Sequence, residues 1–318
     1  MFKLNKFYET YDLLIVIAII FGVLLFVTLL FYLRGLKTPG GEFKELSART
    51  KSWWVMAALI TATTIFNPIV PYICFAFISF ITYRELISIS KNVRESDRHA
   101  IAVSFLSIPV QYYLAYKGYY TLFLVFIPIF MHVLIPFLLV LRGDLVNIAR
   151  AMAVLPGHLM LTVFSISHMA YLLSLPDLPG VSAGSAGLVL FVVSLTEIND
   201  IFQYTWGSLF GRFKMMKKTN IHKTWEGFIG GILLTILAGY WLRFLTPFSE
   251  KEAIVISFIL AILGFVGDII GNALKQEMGV TDPNATLSKK GVMIDRIDSL
   301  AISAPVFFHI VYQLYYAK

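Results

Sequence analysis

The sequence predicts an all-α, polytopic membrane protein with about ten transmembrane helices. Of its 318 residues, 58% are hydrophobic and only 14% are charged. A soluble domain of this length needs more polar side chains to cover itself, so most of this surface is expected to meet lipid or other helices. Apolar runs of roughly 20 residues recur from end to end, and such a run crosses a hydrocarbon core of about 30 Å as a helix. Strand-like alternation is absent from the sequence, which argues against a β-barrel.

Ten membrane spans are predicted from the apolar runs. The first follows Lys3 and Lys6 but is too long for the apolar region of a signal peptide. No small-residue cleavage site precedes Arg34, so this span is predicted to be a retained helix. The fourth span is short and contains Pro109. The spans lie at about residues 13–33, 53–70, 71–88, 100–116, 119–141, 147–174, 182–198, 227–246, 252–270 and 297–316.

The positive charges predict how these spans cross the membrane. If the N-terminus lies outside and the spans alternate strictly, 20 of the 26 Lys and Arg residues fall in loops on the inner side. Because such loops stay in the cytoplasm, the split predicts a multi-pass protein of the inner (cytoplasmic) membrane, with both termini outward. The formal charge of +7 is then expected to face membrane lipids with anionic headgroups, and no nucleic-acid partner is expected.

Two regions of the chain differ in composition. Residues 1–190 are predicted to be N-terminal transmembrane helices joined by short basic loops. Residues 191–318 are predicted to be a C-terminal catalytic transmembrane region, in which cytoplasmic active-site loops crowd polar, Gly and charged residues against the spans. Cys74 is the only cysteine, which excludes a disulfide framework and a zinc site built on thiolates.

The first chemical constellation lies between residues 199 and 227, in a segment predicted to follow the seventh span as a cytoplasmic loop. An Asp beside a long apolar run, such as Asp200, is costly near lipid and normally faces a polar cavity. Lys223 and Glu226 are three residues apart, which predicts a shared helical face. The structural alternative is a set of interfacial helix ends, with Asp200 as an N-cap and Trp225 as an aromatic anchor. Their concentration in one segment favours a functional role.

The second constellation lies between residues 267 and 299. Asp268, Asn272 and Lys275 follow i, i+4, i+7 spacing, which places one polar stripe on an apolar helix. Asp295 and Asp298 are three apart and point the same way, and the intervening loop is expected to bring Asp268 near Asp295. Carboxylates are hard oxygen ligands that Mg²⁺ uses together with substrate phosphates, so Asp268, Asp295 and Asp298 are predicted to bind magnesium.

Cations accompany these carboxylates. Lys275, Lys289, Lys290 and Arg296 are placed to neutralise phosphate oxygens, and a surface network of ion pairs is the structural alternative. The sequence contains no P-loop, no dinucleotide fingerprint and no His-Glu-x-x-His motif. Four of the six histidines, His132, His158, His168 and His309, lie in apolar spans and are interpreted as core residues.

Residues 195–300 resemble the phosphatidate cytidylyltransferases, or CDP-diacylglycerol synthases. The family pattern of Asn-Asp, a Tyr four residues after the Asp and Lys-Thr-Trp-Glu-Gly-Phe is similar to Asn199-Asp200, Tyr204 and residues 223–228. Its C-terminal signature, Gly-Asp and then Asp-Arg-x-Asp-Ser after a long loop, is similar to Gly267-Asp268 and residues 295–299. The first 190 residues resemble the family only in hydropathy.

The chain departs from the family pattern between these motifs. Glu-Ser of the family is replaced by Gly271-Asn272, Lys-Arg by Lys275-Gln276 and Lys-Asp by Thr281-Asp282. The glycine-rich loop before the last motif reads Ser-Lys-Lys-Gly-Val at residues 288–292, so two lysines stand in place of a Gly-His pair. The metal carboxylates are retained, whereas the loop expected around the phosphates has changed.

The resemblance implies a nucleotidyltransferase that transfers CMP from CTP to phosphatidate in phospholipid synthesis. It implies that Asp268 and Asp295 hold Mg²⁺ with help from Asp298, and that Lys223, Lys275 and Arg296 bind phosphates. It further implies a substrate-binding set of Asn199, Asp200, Tyr204, Thr224, Glu226, Asp282, Lys289 and Lys290. Another lipid phosphate, a lipid alcohol, a transporter and a non-catalytic homologue remain as alternatives, and a homodimer remains open.

Overall fold

The computed structural model describes residues 11–37, 69–90, 97–141, 148–178, 183–216, 223–279 and 293–317, with isolated positions at 54, 57, 58, 61, 143 and 181. Within these residues the chain forms nine long helices and no strand, apart from one isolated bridge between Lys214 and Thr224. The helices are α1 (Tyr11–Lys37), α2 (Val70–Ile89), α3 (Arg98–Lys117), α4 (Tyr120–Leu141), α5 (Ile148–Leu172), α6 (Gly184–Phe210), α7 (Trp225–Leu242), α8 (Glu250–Glu277) and α9 (Ile294–Tyr315). The predicted all-α class is confirmed.

Most of the described helices have the length and composition of membrane spans. Seven of them, α2 and α4 to α9, are long and apolar enough to cross a bilayer. The helix α3 is also 20 residues long but more polar, and the described apolar part of α1, Leu13–Gly22, is shorter. The second predicted span, at 53–70, lies mostly outside the described residues. The protein is therefore a polytopic membrane protein, and each of the other nine predicted spans matches a helix.

Two helices continue well beyond the spans that the sequence predicted. The seventh span was expected to end at residue 198, but α6 runs on to Phe210, and α8 continues past residue 270 to Glu277. In α6, Asn199 and Gln203 are four residues apart and both turn into the protein, where Asn199 bonds to α7 and α8 and Gln203 bonds to Asn199. The expectation of a loop at 199–210 was wrong. The motif residues in this stretch lie on a helix.

Helix ends that the charge pattern assigns to the same side of the membrane lie close together in the structure. At the side expected outside, the hydroxyl oxygen of Tyr72, at the start of α2, lies 2.5 Å from Oγ of Ser174, just after the end of α5. Ser174 Oγ donates to the carbonyl O of Ala115, near the end of α3, at 2.7 Å. At the other end of the bundle, the last turns of α2 lie beside the first residues of α9. The relative placement of these ends agrees with strict alternation of the spans.

Helices α6 to α9 form one packed group, with α9 also packed against α5. Far from the charged end, Phe191, Phe248 and Phe307 fill the core of this group with ring centroids 5.6–6.1 Å apart. Near the charged end, α7 approaches α6 so closely that a Cβ on Gly227 would lie 2.7 Å from the carbonyl O of Gln203. Only glycine fits there, so the glycines of the 223–231 segment set the spacing between α6 and α7.

Candidate active site

Charged side chains from four parts of the chain meet at one end of the α6–α9 group. Asp200 lies on α6, Asp268 on α8 and Asp298 on α9. Lys223 directly precedes Thr224, the N-cap residue of α7. Lys223 and Asp268 form an ion pair in which each side chain keeps about a fifth of its exposure. The two constellations found in the sequence therefore form one site.

Asn199 joins three helices beneath this site. Its side chain is fully buried and donates from Nδ2 to the carbonyl O of Ala261 on α8 at 3.1 Å. Its Oδ1 accepts bonds from Gln203 Nε2 at 3.0 Å and from Thr235 Oγ1 on α7 at 3.2 Å. Because every polar atom of this amide has a protein partner, Asn199 positions the site. Gln203 and Thr235 did not stand out in the sequence.

Lys223 is held by contacts from two directions. Its Nζ pairs with Asp268 and also donates to Gln203 Oε1 at 3.2 Å. The ammonium group lies 5.8 Å from the ring centroid of Phe265 on α8. These contacts fix the cation at the junction of α6, α7 and α8, and its role in binding phosphate stays a prediction.

The expectation that Lys223 and Glu226 share a helical face was wrong. The helix begins at Trp225, and Thr224 is its N-cap, accepting a bond from the amide N of Gly227 at 3.1 Å. Lys223 is therefore extended backbone ahead of the helix, free to turn toward Asp268. Glu226 faces the other way and accepts from the amide N of Phe213 at 3.2 Å, which holds the segment after α6 against the start of α7.

The polar stripe predicted on α8 is confirmed. Asn272 Nδ2 donates to Oδ1 of Asp268 at 2.6 Å, one turn earlier on the same helix. One turn later, Lys275 is buried and pairs with Asp295 of α9, whose side chain is 46% exposed. Asp268 and Asp295 thus each have a lysine partner, and these pairs lie on the same side of α8.

Ser299 ties α9 to the rest of the site, a role that the sequence did not predict. Its buried Oγ lies 2.9 Å from Oδ2 of Asp200 on α6 and 3.1 Å from the carbonyl O of Gly264 on α8, so the hydroxyl can donate to either. Its amide N donates to Oδ1 of Asp298 at 2.8 Å. This places Asp200 and Asp298 on either side of one serine. The sequence did contain a signal for this role, because Ser299 is the last residue of the Asp-Arg-x-Asp-Ser motif.

The described site holds more acidic than basic side chains. Asp200 lies near Asp268, Asp298 and Glu197, a further acidic residue one turn earlier on α6. Among the described side chains, five carboxyl groups face three cations, so the acidic groups outnumber the basic ones by two. The carboxylates are Glu197, Asp200, Asp268, Asp295 and Asp298, and the cations are Lys223, Lys275 and Arg296. An excess of hard oxygen ligands in a confined space is suited to a divalent cation.

The predicted magnesium ligands are not gathered as three free carboxylates. In the described part of the chain, no three acidic, His or Cys side chains lie close enough to hold a metal ion by themselves. Mg²⁺ commonly uses one or two protein carboxylates plus substrate phosphates, so a partial set still fits this ion. The assignment of Mg²⁺ to Asp268, Asp295 and Asp298 stays a prediction.

The remaining predicted site residues differ in burial, and some of them lie outside the described part of the chain. The side chain of Tyr204 is 63% exposed, so it points away from the buried contacts of Asn199 and Gln203. The side-chain Nε of Arg296 is buried and has no hydrogen-bond partner among the described groups. Asp282, Lys289 and Lys290 lie outside the described residues.

An apolar crevice adjoins the site. It is a shallow cleft between α5, α8 and α9, with Asp298 at its wall. Leu161, Leu274 and Ile297 contribute apolar surface, and Leu161 belongs to the π-helical turn Met160–Phe164 of α5. The crevice therefore connects charged groups with an apolar space between helices.

These features define a class: a polytopic membrane protein whose carboxylates and cations meet beside an apolar crevice at one end of the helix bundle. A family model described as the cytidylyltransferase family matches residues 47–314, which is most of the chain. The chain belongs to this family.

Individual relatives refine the comparison. Along most of its length the chain is similar to the uncharacterized protein YnbB of Escherichia coli (strain K12), with 33% identity over 93% of this chain and 97% of the relative. It is also similar to phosphatidate cytidylyltransferases of Aquifex aeolicus, 31% identical over 38% of this chain, and of Thermotoga maritima, 33% identical over 39%. These two matches cover 45% and 48% of the relatives, so the chain spans less than half of each.

Proposed function

We propose that the protein transfers the cytidylyl group of CTP to phosphatidate in the inner membrane, giving CDP-diacylglycerol and pyrophosphate. An oxygen of the lipid phosphate attacks the α-phosphorus of CTP, and the bond from that phosphorus to the pyrophosphate oxygen breaks. The acceptor phosphate is already an anion, so no strong general base is required. Such a transfer depends chiefly on positioning and on neutralising phosphate charge.

The convergence of Asp200, Lys223, Asp268 and Asp298 from separate helices carries this proposal. A site that handles two phosphate-bearing substrates needs cations for the phosphates and carboxylates for a metal ion. In the proposal, Lys223, Lys275 and Arg296 bind phosphate oxygens, and the buried Nε of Arg296 supplies an unused donor. Thr224 and Glu226 hold the start of α7 in place.

The proposed reaction uses magnesium, held by carboxylates of the same site. Asp268, Asp295 and Asp298 would hold Mg²⁺, which when bound supplies positive charge to the triphosphate. The excess of carboxylates over cations in the described site supports a divalent ion. Lys223 and Lys275 pair with Asp268 and Asp295 in the structure, and in the proposal they exchange these partners for phosphate oxygens when substrate binds.

The position of the site supports a lipid acceptor. Asp298 lies at the wall of the apolar crevice between α5, α8 and α9, so a phosphate near Asp298 would have apolar helix surface beside it. The excess of Lys and Arg in the loops at this end supports a cytoplasmic site, where CTP is available.

One observation favours a lipid substrate other than phosphatidate as the acceptor of the cytidylyl group. The phosphatidate enzymes match less than half of this chain, whereas the uncharacterized relative matches almost all of it. The alternative is therefore the same cytidylyl transfer to another lipid phosphate.

Labelled CTP tests these possibilities with purified protein in mixed micelles. With phosphatidate and Mg²⁺, label from the α-phosphate should enter the lipid phase, and one pyrophosphate should appear for each labelled lipid. Label entering from the γ-phosphate with a lipid alcohol would indicate phosphoryl transfer instead. Folded protein that transfers neither label to phosphatidate or to a panel of lipid phosphates would refute the proposal. Asp268→Asn serves as the inactive control.

A further inference from the structure

Glu85, in the last turns of α2, contacts the first residues of α9 across 208 positions of sequence. Its Oε2 accepts from the amide N of Met293 at 2.9 Å and from the amide N of Ile294 at 3.3 Å. The residue belongs to the N-terminal region, where the sequence offered only hydropathy. We propose that Glu85 is a positioning residue that fixes where α9 begins and so sets the geometry of the acidic site.

The start of α9 lacks a cap of its own. Met293 occupies the N-cap position, and its side chain makes no capping hydrogen bond. The first amide N–H groups of any helix have no partner within the helix and need an acceptor from elsewhere. A carboxylate is the strongest such acceptor, since it also meets the positive end of the helix dipole. Glu85 supplies this acceptor from another helix.

Apolar packing holds Glu85 in reach of these amides. Leu86 is fully buried and packs in one cluster with Ile89, Met278 and Ile294, with Leu274 of α8 against it. This cluster joins the end of α2, the end of α8 and the start of α9. The carboxylate is therefore carried to the helix start by a buried contact.

The start of α9 decides where four functional groups point. Asp295, Arg296, Asp298 and Ser299 all lie in its first two turns. Without an acceptor for its first amide N–H groups, the first turn of α9 would fray. Asp295 and Arg296 lie in this turn, so Asp295 would lose its fixed position beside Lys275. Ser299 depends less on the cap, because Asp200 and the carbonyl O of Gly264 anchor it.

Hydrogen exchange tests the cap directly, and turnover tests its consequence. The variants are Glu85→Ala, which removes the acceptor, and Glu85→Gln, which keeps a carbonyl oxygen of the same reach. Glu277→Gln is the matched control, because it neutralises an exposed carboxylate at the same end of the bundle. Each protein is measured in micelles as amide exchange by mass spectrometry and as kcat/KM for CTP; the kinetic part rests on the proposed function.

The expected result separates positioning from general stability. In Glu85→Ala, amides 293–300 should exchange about five to ten times faster while α8 amides 253–265 stay as in the wild type. Its kcat/KM should fall about tenfold, and Glu85→Gln should recover most of both losses. Unchanged exchange at 293–300 in folded Glu85→Ala, or equal acceleration in α8, would overturn the proposal. If the wild type does not use CTP, the proposed function fails while the exchange data still decide the capping role.

Discussion

Ser299 Oγ and Asp200 Oδ2 lie 2.9 Å apart and join α9 to α6 at the centre of the acidic site. The two residues are 99 positions apart in the sequence and come from its two separate motifs. A buried carboxylate beside two other carboxylates is costly unless a donor faces it, and the serine hydroxyl is such a donor. Together with the Lys223–Asp268 pair, this contact joins the two motifs in one site.

Replacing Ser299 by Ala should weaken both the site and the fold. The change leaves Asp200 without this donor, a loss that for a buried polar group amounts to roughly 1–3 kcal/mol of unfolding free energy. Cytidylyl transfer should fall at least about tenfold, because α6 and α9 lose their polar contact at the site. Ser299→Thr keeps the hydroxyl and should retain more activity.

Ser303, one turn further along α9, provides the matched control. It is equally buried, but its hydroxyl has no hydrogen-bond partner among the described groups. Ser303→Ala should change turnover and thermal unfolding much less than Ser299→Ala. Equal effects of the two variants would show that packing, and not the bond to Asp200, is responsible.

A methyl group at Gly267 should force α8 and α9 apart. A Cβ there would lie 2.8 Å from Ser299 Cα and 3.0 Å from the carbonyl carbon of Asp298, both backbone atoms that cannot turn aside. Overpacking of this kind costs about 1–3 kcal/mol, so Gly267→Ala should lower the thermal unfolding temperature and turnover together. Gly157→Ala is the control, since nothing lies within 4 Å of its added Cβ. Wild-type turnover in Gly267→Ala would contradict the close approach.

The ends of α7 should label from opposite sides of the membrane. Lys214 lies before the charged end of this helix, and Lys251 lies beyond its other end at the start of α8; both are exposed. With Cys74→Ser as background, a cysteine at 214 should react with an impermeant reagent only in inside-out vesicles, and one at 251 only in right-side-out cells. Labelling of both from the same side would refute the threading and with it the cytoplasmic site.

The sequence predicted the spans and the chemistry better than the contacts. Hydropathy located α2 to α9 because crossing a bilayer requires a long apolar helix. It placed the end of α6 too early, because the amphipathic stretch 199–210 has too many polar residues to resemble a span. That stretch is helical because Asn199 finds partners on α7 and α8 and Gln203 bonds to Asn199, contacts that a local pattern does not reveal.

The sequence also did not reveal which charged residues of the site pair with each other. The sequence suggested that the intervening loop brings Asp268 near Asp295, but it did not show that each of them pairs with a lysine, Lys223 and Lys275 respectively. Such partners depend on how α7, α8 and α9 cross, and that follows from glycine contacts such as Gly267 on Ser299. The role of Lys289 and Lys290 stays a prediction, since both lie outside the described residues.

The last prediction concerns the metal carboxylates. Asp268→Asn and Asp295→Asn should each lower turnover by about a hundredfold or more, because losing a metal-bridging charge removes several kcal/mol from transition-state stabilisation and each 1.4 kcal/mol is about tenfold. A structural partner of lysine behaves differently: its loss should raise KM for CTP and leave metal affinity unchanged. Mn²⁺ binding, followed by electron paramagnetic resonance in the presence of CTP, distinguishes these roles without relying on turnover.

Glu250→Gln is the control for this experiment, since Glu250 is an exposed carboxylate of the same helix as Asp268 and pairs with Arg243 at the opposite end. It should bind Mn²⁺ and turn over as the wild type does. Asp298→Asn should weaken Mn²⁺ binding as well, because Asp298 stands beside Asp268 in the acidic cluster. If Asp268→Asn and Asp298→Asn weaken Mn²⁺ binding but Asp295→Asn only raises KM, Asp295 is the partner of Lys275 and not a metal ligand. Wild-type Mn²⁺ binding in all three variants would show that the ion is held elsewhere.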